Sequence, residues 1–266
     1  MRRLHEGHPL CPLGGSLDCP SGPCSGQSAV FPSGVRASRA PPAFGISQAS
    51  PFSLKAEHLL RLAEVLYRLE PANPTSGPRK KIPFVTCPDG AVLSDTVNIQ
   101  RHLEQHAGLV LVRNAQTTLV RRLLEEHLYW AQVYFRWTYH PQDVRDGLFG
   151  AIPWPLRGLV FAMVRREVRG NLWSQGMGRR PESEILTLVE EDLDTLEQAL
   201  GEGPFFGGES LSAADLSCHA LFAQVAGSTF DDPLVTAFRR RTGLLAHQER
   251  VETALDEGGS SCSTPS

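Results

Sequence analysis

Ser50-Pro51-Phe52-Ser53-Leu54-Lys55, Lys80-Lys81-Ile82-Pro83-Phe84-Val85 and Leu93-Ser94-Asp95-Thr96 stand in that order over 47 positions, and their reading decides the fold. Ser50 before Pro51 is a helix start, a hydroxyl cap followed by proline at the first helical position. The helix it opens carries Phe52, Ala56, Leu59, Ala63 and Leu66 at alternating steps of four and three, one apolar face. Pro83 ends a loop just before an apolar run, and Asp95-Thr96 places a capping acid and a hydroxyl at the start of another helix. None of the three pieces is specific alone. Their order and spacing carry the weight.

Working outward, Leu66-Tyr67-Arg68-Leu69 offers a short strand, and Asn73-Pro74-Thr75-Ser76-Gly77-Pro78 is a loop. Phe84-Val85-Thr86 and Ala91-Val92-Leu93 read as strands joined by Cys87-Pro88-Asp89-Gly90, whose Asp-Gly signals a hairpin. A helix from about Asp95 to His106 is ended by Gly108. Beyond residue 109 every periodic segment is helical. Val120, Leu124, Leu128, Ala131 and Phe135 share one face, and Leu186, Val189, Leu193, Leu196 and Leu200 form another stripe. Ser212 with Asp215 three residues on predicts a capping box, with Leu211 stapled onto Leu216. That pair has a folding role and is not a catalytic couple.

These stretches resemble the glutathione transferase superfamily and, within it, the failed axon connections and metaxin branch. The resemblance runs from about Phe44 to Val251, and Arg122 to Trp137 (RLLEEHLYWAQVYFRW) and Gly203-Pro204-Phe205-Phe206-Gly207-Gly208 leading into Leu211-Ser212-Ala213-Ala214-Asp215 strengthen it. It implies an α/β thioredoxin-like N-terminal domain at 42–108 followed by an all-α helical domain of the glutathione transferase C-terminal type at 117–252. Residues 1–41, rich in turn formers and without period, read as a disordered leader, and 253–266 as a disordered tail. The family domain opens with a buried strand just before Ala43. Val35-Arg36-Ala37-Ser38-Arg39 stands there, too polar for a central strand, so the strand is either borrowed from Ser28-Ala29-Val30-Phe31 or lost.

The resemblance also implies a site. A cis peptide before Pro83 would turn the Ile82 backbone toward the cysteinyl backbone of glutathione, the other reading being a trans proline at a strand edge. Asp95 and Thr96 would receive the γ-glutamyl end, or serve only as caps. Thiol activation needs a donor near the sulfur, because the thiolate is the nucleophile. Ser50 is the first candidate catalytic contact and Ser53 the second, with simple capping as the alternative for both. Serine forms no mixed disulfide, so a glutaredoxin-like role is disfavoured. His127, Tyr129, Trp130, Tyr134 and Trp137 crowd one helix as packing or as the wall of a hydrophobic cleft.

Composition excludes several classes. A formal charge of −3 over 266 residues gives no drive toward nucleic acid, and the arginines of 165 to 180 read as a solvated helix face. Cys11, Cys19, Cys24, Cys87, Cys218 and Cys262 show neither CxxC nor paired Cys/His spacing, which argues against a metal site or disulfide framework and fits a reducing cytoplasm. Cys87 is expected to be exposed and inert, Cys218 and His219 to fill core. No apolar run reaches bilayer length. Two functions stay open. One is a cytoplasmic transferase-like protein with glutathione as co-substrate and a small hydrophobic electrophile; the other is a metaxin-like scaffold with a protein partner or as a homodimer, at the mitochondrial outer membrane or in neuronal signalling.

Overall fold

The computed structural model describes residues 34–72, 75 and 77–259. Strand β1 (Val35–Arg39) is followed by α1 (Pro51–Leu62), β2 (Tyr67–Pro71), β3 (Phe84–Thr86), β4 (Val92–Ser94) and α2 (Thr96–His106). The sheet order is β2-β1-β3-β4, with β1 and β2 parallel and the other two pairs antiparallel. This is a thioredoxin-like α/β domain. Gly90, at φ 87°, closes the β3–β4 hairpin by donating its N–H to the Cys87 carbonyl at 2.9 Å.

The first strand corrects the sequence reading. Val35–Arg39 lies inside the segment expected to be leader, and it is a central strand. Its two faces differ. Val35 and Ala37 point into the core, while exposed Arg36 pairs with Glu70 of β2 at 3.7 Å. Ser38 is buried as well, but its hydroxyl accepts the Phe84 N–H at 2.7 Å, so its polarity is satisfied. The remainder of the expected leader, 1–33, including the alternative strand Ser28–Phe31, lies outside the described residues.

The helical region runs α3 (Ala115–Arg122), a π-helical turn (Leu123–Leu128), α4 (Tyr129–Tyr139), α5 (Pro141–Phe149), α6 (Trp154–Gln175), α7 (Glu182–Leu200), α8 (Ala213–Ala226), α9 (Pro233–Arg239) and α10 (Thr242–Gly259). The stripe Val120, Leu124, Leu128, Ala131 and Phe135 is buried, and it meets Val189, Leu193 and Leu196 of α7 and Phe222 of α8 in one core. The tail expectation is corrected in part, since α10 continues to Gly259. Val251 and Leu255 are fully buried against the N-terminal domain, and Arg61 of α1 reaches the Leu255 carbonyl at 3.3 Å and Asp256 at 2.8 Å. Residues 260–266 lie outside the described residues.

The two regions share core. Leu216 of α8 with Val251 and Leu255 of α10 joins Ala56, Leu59 and Leu60 of α1, Val85 of β3 and Ile99 of α2. Leu211 packs against the same cluster as Leu216, as the staple predicts. Cys87 is buried, contrary to expectation, because it lies at the end of β3 with its N–H bonded to the Ala91 carbonyl at 2.8 Å.

Candidate functional site

Ser50 caps α1. Its hydroxyl oxygen accepts the Ser53 N–H at 3.3 Å, and Pro51 occupies the first helical position. The helical domain fixes the approach to this cap: Arg136 of α4 donates to the Ala49 carbonyl at 3.2 Å, and Gln224 of α8 donates to the Gln48 carbonyl at 2.8 Å. Ser50 is half-buried with its O–H available as a donor. Ser53, one turn on, is 1% exposed, and its hydroxyl has no protein partner among the described residues. The two serines are therefore not equivalent.

Ile82 and Pro83 are joined by a cis peptide bond. The same loop is tied to the start of α2, because the Asp95 N–H donates to the Pro83 carbonyl at 3.2 Å. Asp95 is an exposed N-cap whose carboxylate accepts the Val97 N–H at 3.2 Å, which leaves acceptor capacity on its other oxygen. Its φ of 78° is unusual for a residue with a side chain, and backbone of this kind concentrates at functional sites. Thr96 is 3% exposed, so its side chain faces the interior while its backbone forms the first turn of α2. Ile82, Pro83, Asp95 and Thr96 thus form one corner, and α1 with its Ser50 cap packs against α2.

Sequence reasoning missed the polar cluster beneath that corner. Lys55, one turn from both Phe52 and Leu59 on the apolar face, is 1% exposed. It donates to Glu125 at 2.6 Å; Glu125 also accepts from Arg121 at 2.7 Å and from the Ser217 hydroxyl at 2.8 Å. Burial lowers the Lys55 pKa, with the Glu125 charge opposing it. Burial works to raise that of Glu125, but Lys55, Arg121 and Ser217 outweigh it and hold the carboxyl below its usual range. The π-helical turn presents Glu125 to α1 and α8 together, a frequent use of such turns. A signal was present: a lysine three residues after Phe52 and four before Leu59 lies on the stripe itself.

The same residues border a pocket between the regions, lined by Phe52, Lys55, Leu124, Glu125, Tyr129 and Leu221 among others, with room for about one water. Phe52 meets the Tyr129 ring edge-on at 4.9 Å. Trp130, Tyr134 and Trp137 pack against the helical core, as the bland reading of that stripe expects. Among the described residues no group of three or more His, Cys, Asp or Glu side chains is arranged to hold a metal ion, and no helix is long and apolar enough to cross a membrane.

A second cluster lies deeper. Asp215 is fully buried and accepts the Ser212 N–H and hydroxyl, the Phe206 N–H at 2.8 Å and the His247 ring at 2.8 Å, so the capping box is present and extended. His219 is more than a filler. It meets His58 of α1 at 3.0 Å, nitrogen to nitrogen, and Glu252 of α10 at 2.9 Å.

A family model for the glutathione S-transferase N-terminal domain matches residues 51–142. The chain is 27% identical over 203 residues to an isoprene-epoxide–glutathione S-transferase of Rhodococcus sp. strain AD45, covering 70% of this chain and 84% of that protein. It is 23% identical over 184 residues to human metaxin-2, covering 66% of this chain and 70% of that one. Among solved structures, a glutathione S-transferase of Ceriporiopsis subvermispora in complex with glutathione aligns with a TM-score of 0.57 at 15% identity, covering 84% of this chain and 98% of that chain. The thioredoxin-like sheet, the helical region stacked on it, the family model matched over 51–142 and these two kinds of relative make the chain similar to the glutathione transferase superfamily, with likeness to its metaxin branch.

Proposed function

We propose that the chain recognises glutathione at the corner formed by Ile82, Pro83, Asp95 and the start of α2, and holds its sulfur as thiolate at Ser50. The observation that carries this reading is the Asp95 N–H bonded to the Pro83 carbonyl at 3.2 Å, which joins loop and helix start into one binding edge. The Ile82 backbone pairs with the cysteinyl backbone of the ligand, the Asp95 carboxylate receives the γ-glutamyl ammonium, and the backbone at the positive end of α2 meets the carboxylate. The Ser50 hydroxyl donates to the sulfur, whose proton leaves to solvent, and the thiolate forms a C–S bond with a hydrophobic electrophile as a bond at that carbon opens, the released electron pair taking a proton from solvent. Ser53 takes no part, its hydroxyl being enclosed. The family reading that suits this site is the failed axon connections type, in the cytoplasm.

One observation favours a second reading. The pocket beside Phe52 and Tyr129 has space for about one water, far short of an electrophile, which suits a metaxin-like scaffold whose surface engages a protein partner. Calorimetric titration with glutathione separates the two. Wild-type protein is expected to bind, and Asp95→Asn, which keeps the cap and tolerates the backbone, to lose tenfold or more in affinity, about 1.5 to 3 kcal/mol. No heat of binding at millimolar glutathione leaves the scaffold reading.

A further inference from the structure

Helix α6 is apolar on two sides, and only one side has a partner. Inward, Leu172 is buried, Val168 packs on the helical core, and Phe161 stacks on Trp137 with centroids 6.0 Å apart. Outward, Leu156, Leu159 and Met163 follow at steps of three and four, each more than half exposed, and Trp154 and Trp173 stand exposed near the two ends of the helix. These five are half of the large apolar side chains that the described residues expose. None of the five belongs to either hydrophobic core.

Charge on the helix is one-sided. Arg157, Arg165, Arg166 and Arg169 outnumber the one acid, Glu167; Arg157 is tied to the Gly150 and Ile152 carbonyls, and Arg166 and Arg169 are exposed with Glu167 between them in sequence. At the C-terminal end Arg179 lies 5.4 Å from the Trp173 ring centre. Anchors at this spacing also suit an apolar protein groove, and the exposed arginines are what favour an anionic surface over one. A short apolar stripe with exposed arginines on the same helix, and tryptophans near the two helix ends about 28 Å apart, suits a helix lying in a lipid–water interface. We propose that the outward face of α6 docks on an anionic phospholipid bilayer, the apolar stripe entering the acyl boundary and Arg166 and Arg169 meeting the headgroups.

Flotation of the full chain with vesicles tests this, using equimolar phosphatidylcholine and phosphatidylserine against phosphatidylcholine alone. Wild-type protein is expected to float with the anionic vesicles and to be released by salt. Leu156→Ser/Leu159→Ser/Met163→Ser and, separately, Arg166→Glu/Arg169→Glu are expected to lower partitioning about tenfold or more, with unchanged circular dichroism because none of these side chains is core. Wild-type protein that stays with neither vesicle overturns the proposal, as do variants that float as well as wild type. A dimer in sedimentation that the triple variant dissociates, without vesicle binding, assigns the face to a second copy and also overturns it.

Discussion

Ser50 and Ser53 begin the same helix with the same side chain, yet their surroundings separate them. Ser50 supplies the cap and keeps a hydrogen to donate; Ser53 is enclosed with no protein partner for its hydroxyl. Ser50→Ala is therefore expected to cost about 1 kcal/mol in denaturant melts. Ser53→Ala removes a buried polar atom that has no partner among the described residues, so stability is expected to hold within about 0.5 kcal/mol or to rise. If glutathione binds, ultraviolet titration of its thiolate should show a raised pKa in Ser50→Ala and none in Ser53→Ala. A Ser53→Ala protein that loses thiolate while Ser50→Ala keeps it would reverse the assignment. Both serines were visible in the sequence as cap candidates, but burial distinguishes them, and burial comes from α8 and α4, more than 70 residues away in the chain.

At the scale of elements, the start of α8 is better specified than its motif suggests. Ser212 and Asp215 form the reciprocal box read from the sequence, and Asp215 also holds the Phe206 N–H and the His247 ring inside the protein. Ser212→Ala is expected to cost about 1 kcal/mol, the usual worth of a cap. Asp215→Ala leaves several buried donors without an acceptor and is expected to cost about 3 kcal/mol or more, measured in the same melts. Equal losses for the two would mean that Asp215 acts as a cap alone. The hairpin, both strand-flanked helices and the buried stripe of α3 and α4 were legible because each depends on near neighbours in sequence. β1 was not. Val35-Arg36-Ala37-Ser38-Arg39 looks polar, and only its pairing with β2, which answers Arg36 with Glu70, and with β3, which answers Ser38 with the Phe84 N–H, makes it a central strand. The corner at Ile82 and Asp95 was legible in outline. The Lys55–Glu125 clip was overlooked because its partners come from two other helices.

At the scale of the whole molecule, the two regions are joined by apolar surface and by buried polar contacts whose protonation decides how firmly they hold. His58 of α1 and His219 of α8 meet at 3.0 Å, both largely shielded from water, with Arg61, His247 and Glu252 around them. Burial, reinforced by His219 and Arg61, pushes the His58 pKa well below 6.5; burial, with the charges of His247 and Arg61, brings His219 down to about 4, and half-exposed Glu252 does not offset this. The unfolded chain takes protons on both rings near 6.5, whereas the native state refuses them until far lower pH. Below about 6.5 the unfolded state therefore binds more protons, so stability is full above that pH and is lost as the pH falls toward 4. The share of His219, whose pKa moves from 6.5 to about 4, is on the order of 3 kcal/mol, and His58 adds to it. Urea melts stepped downward through this window are expected to show a falling midpoint, with a shallower fall in His219→Gln. Some slope should survive in that variant, because burial also lowers the pKa of His102 in α2. If wild type and His219→Gln fall in parallel, the joint between the two regions does not sense protons through this pair.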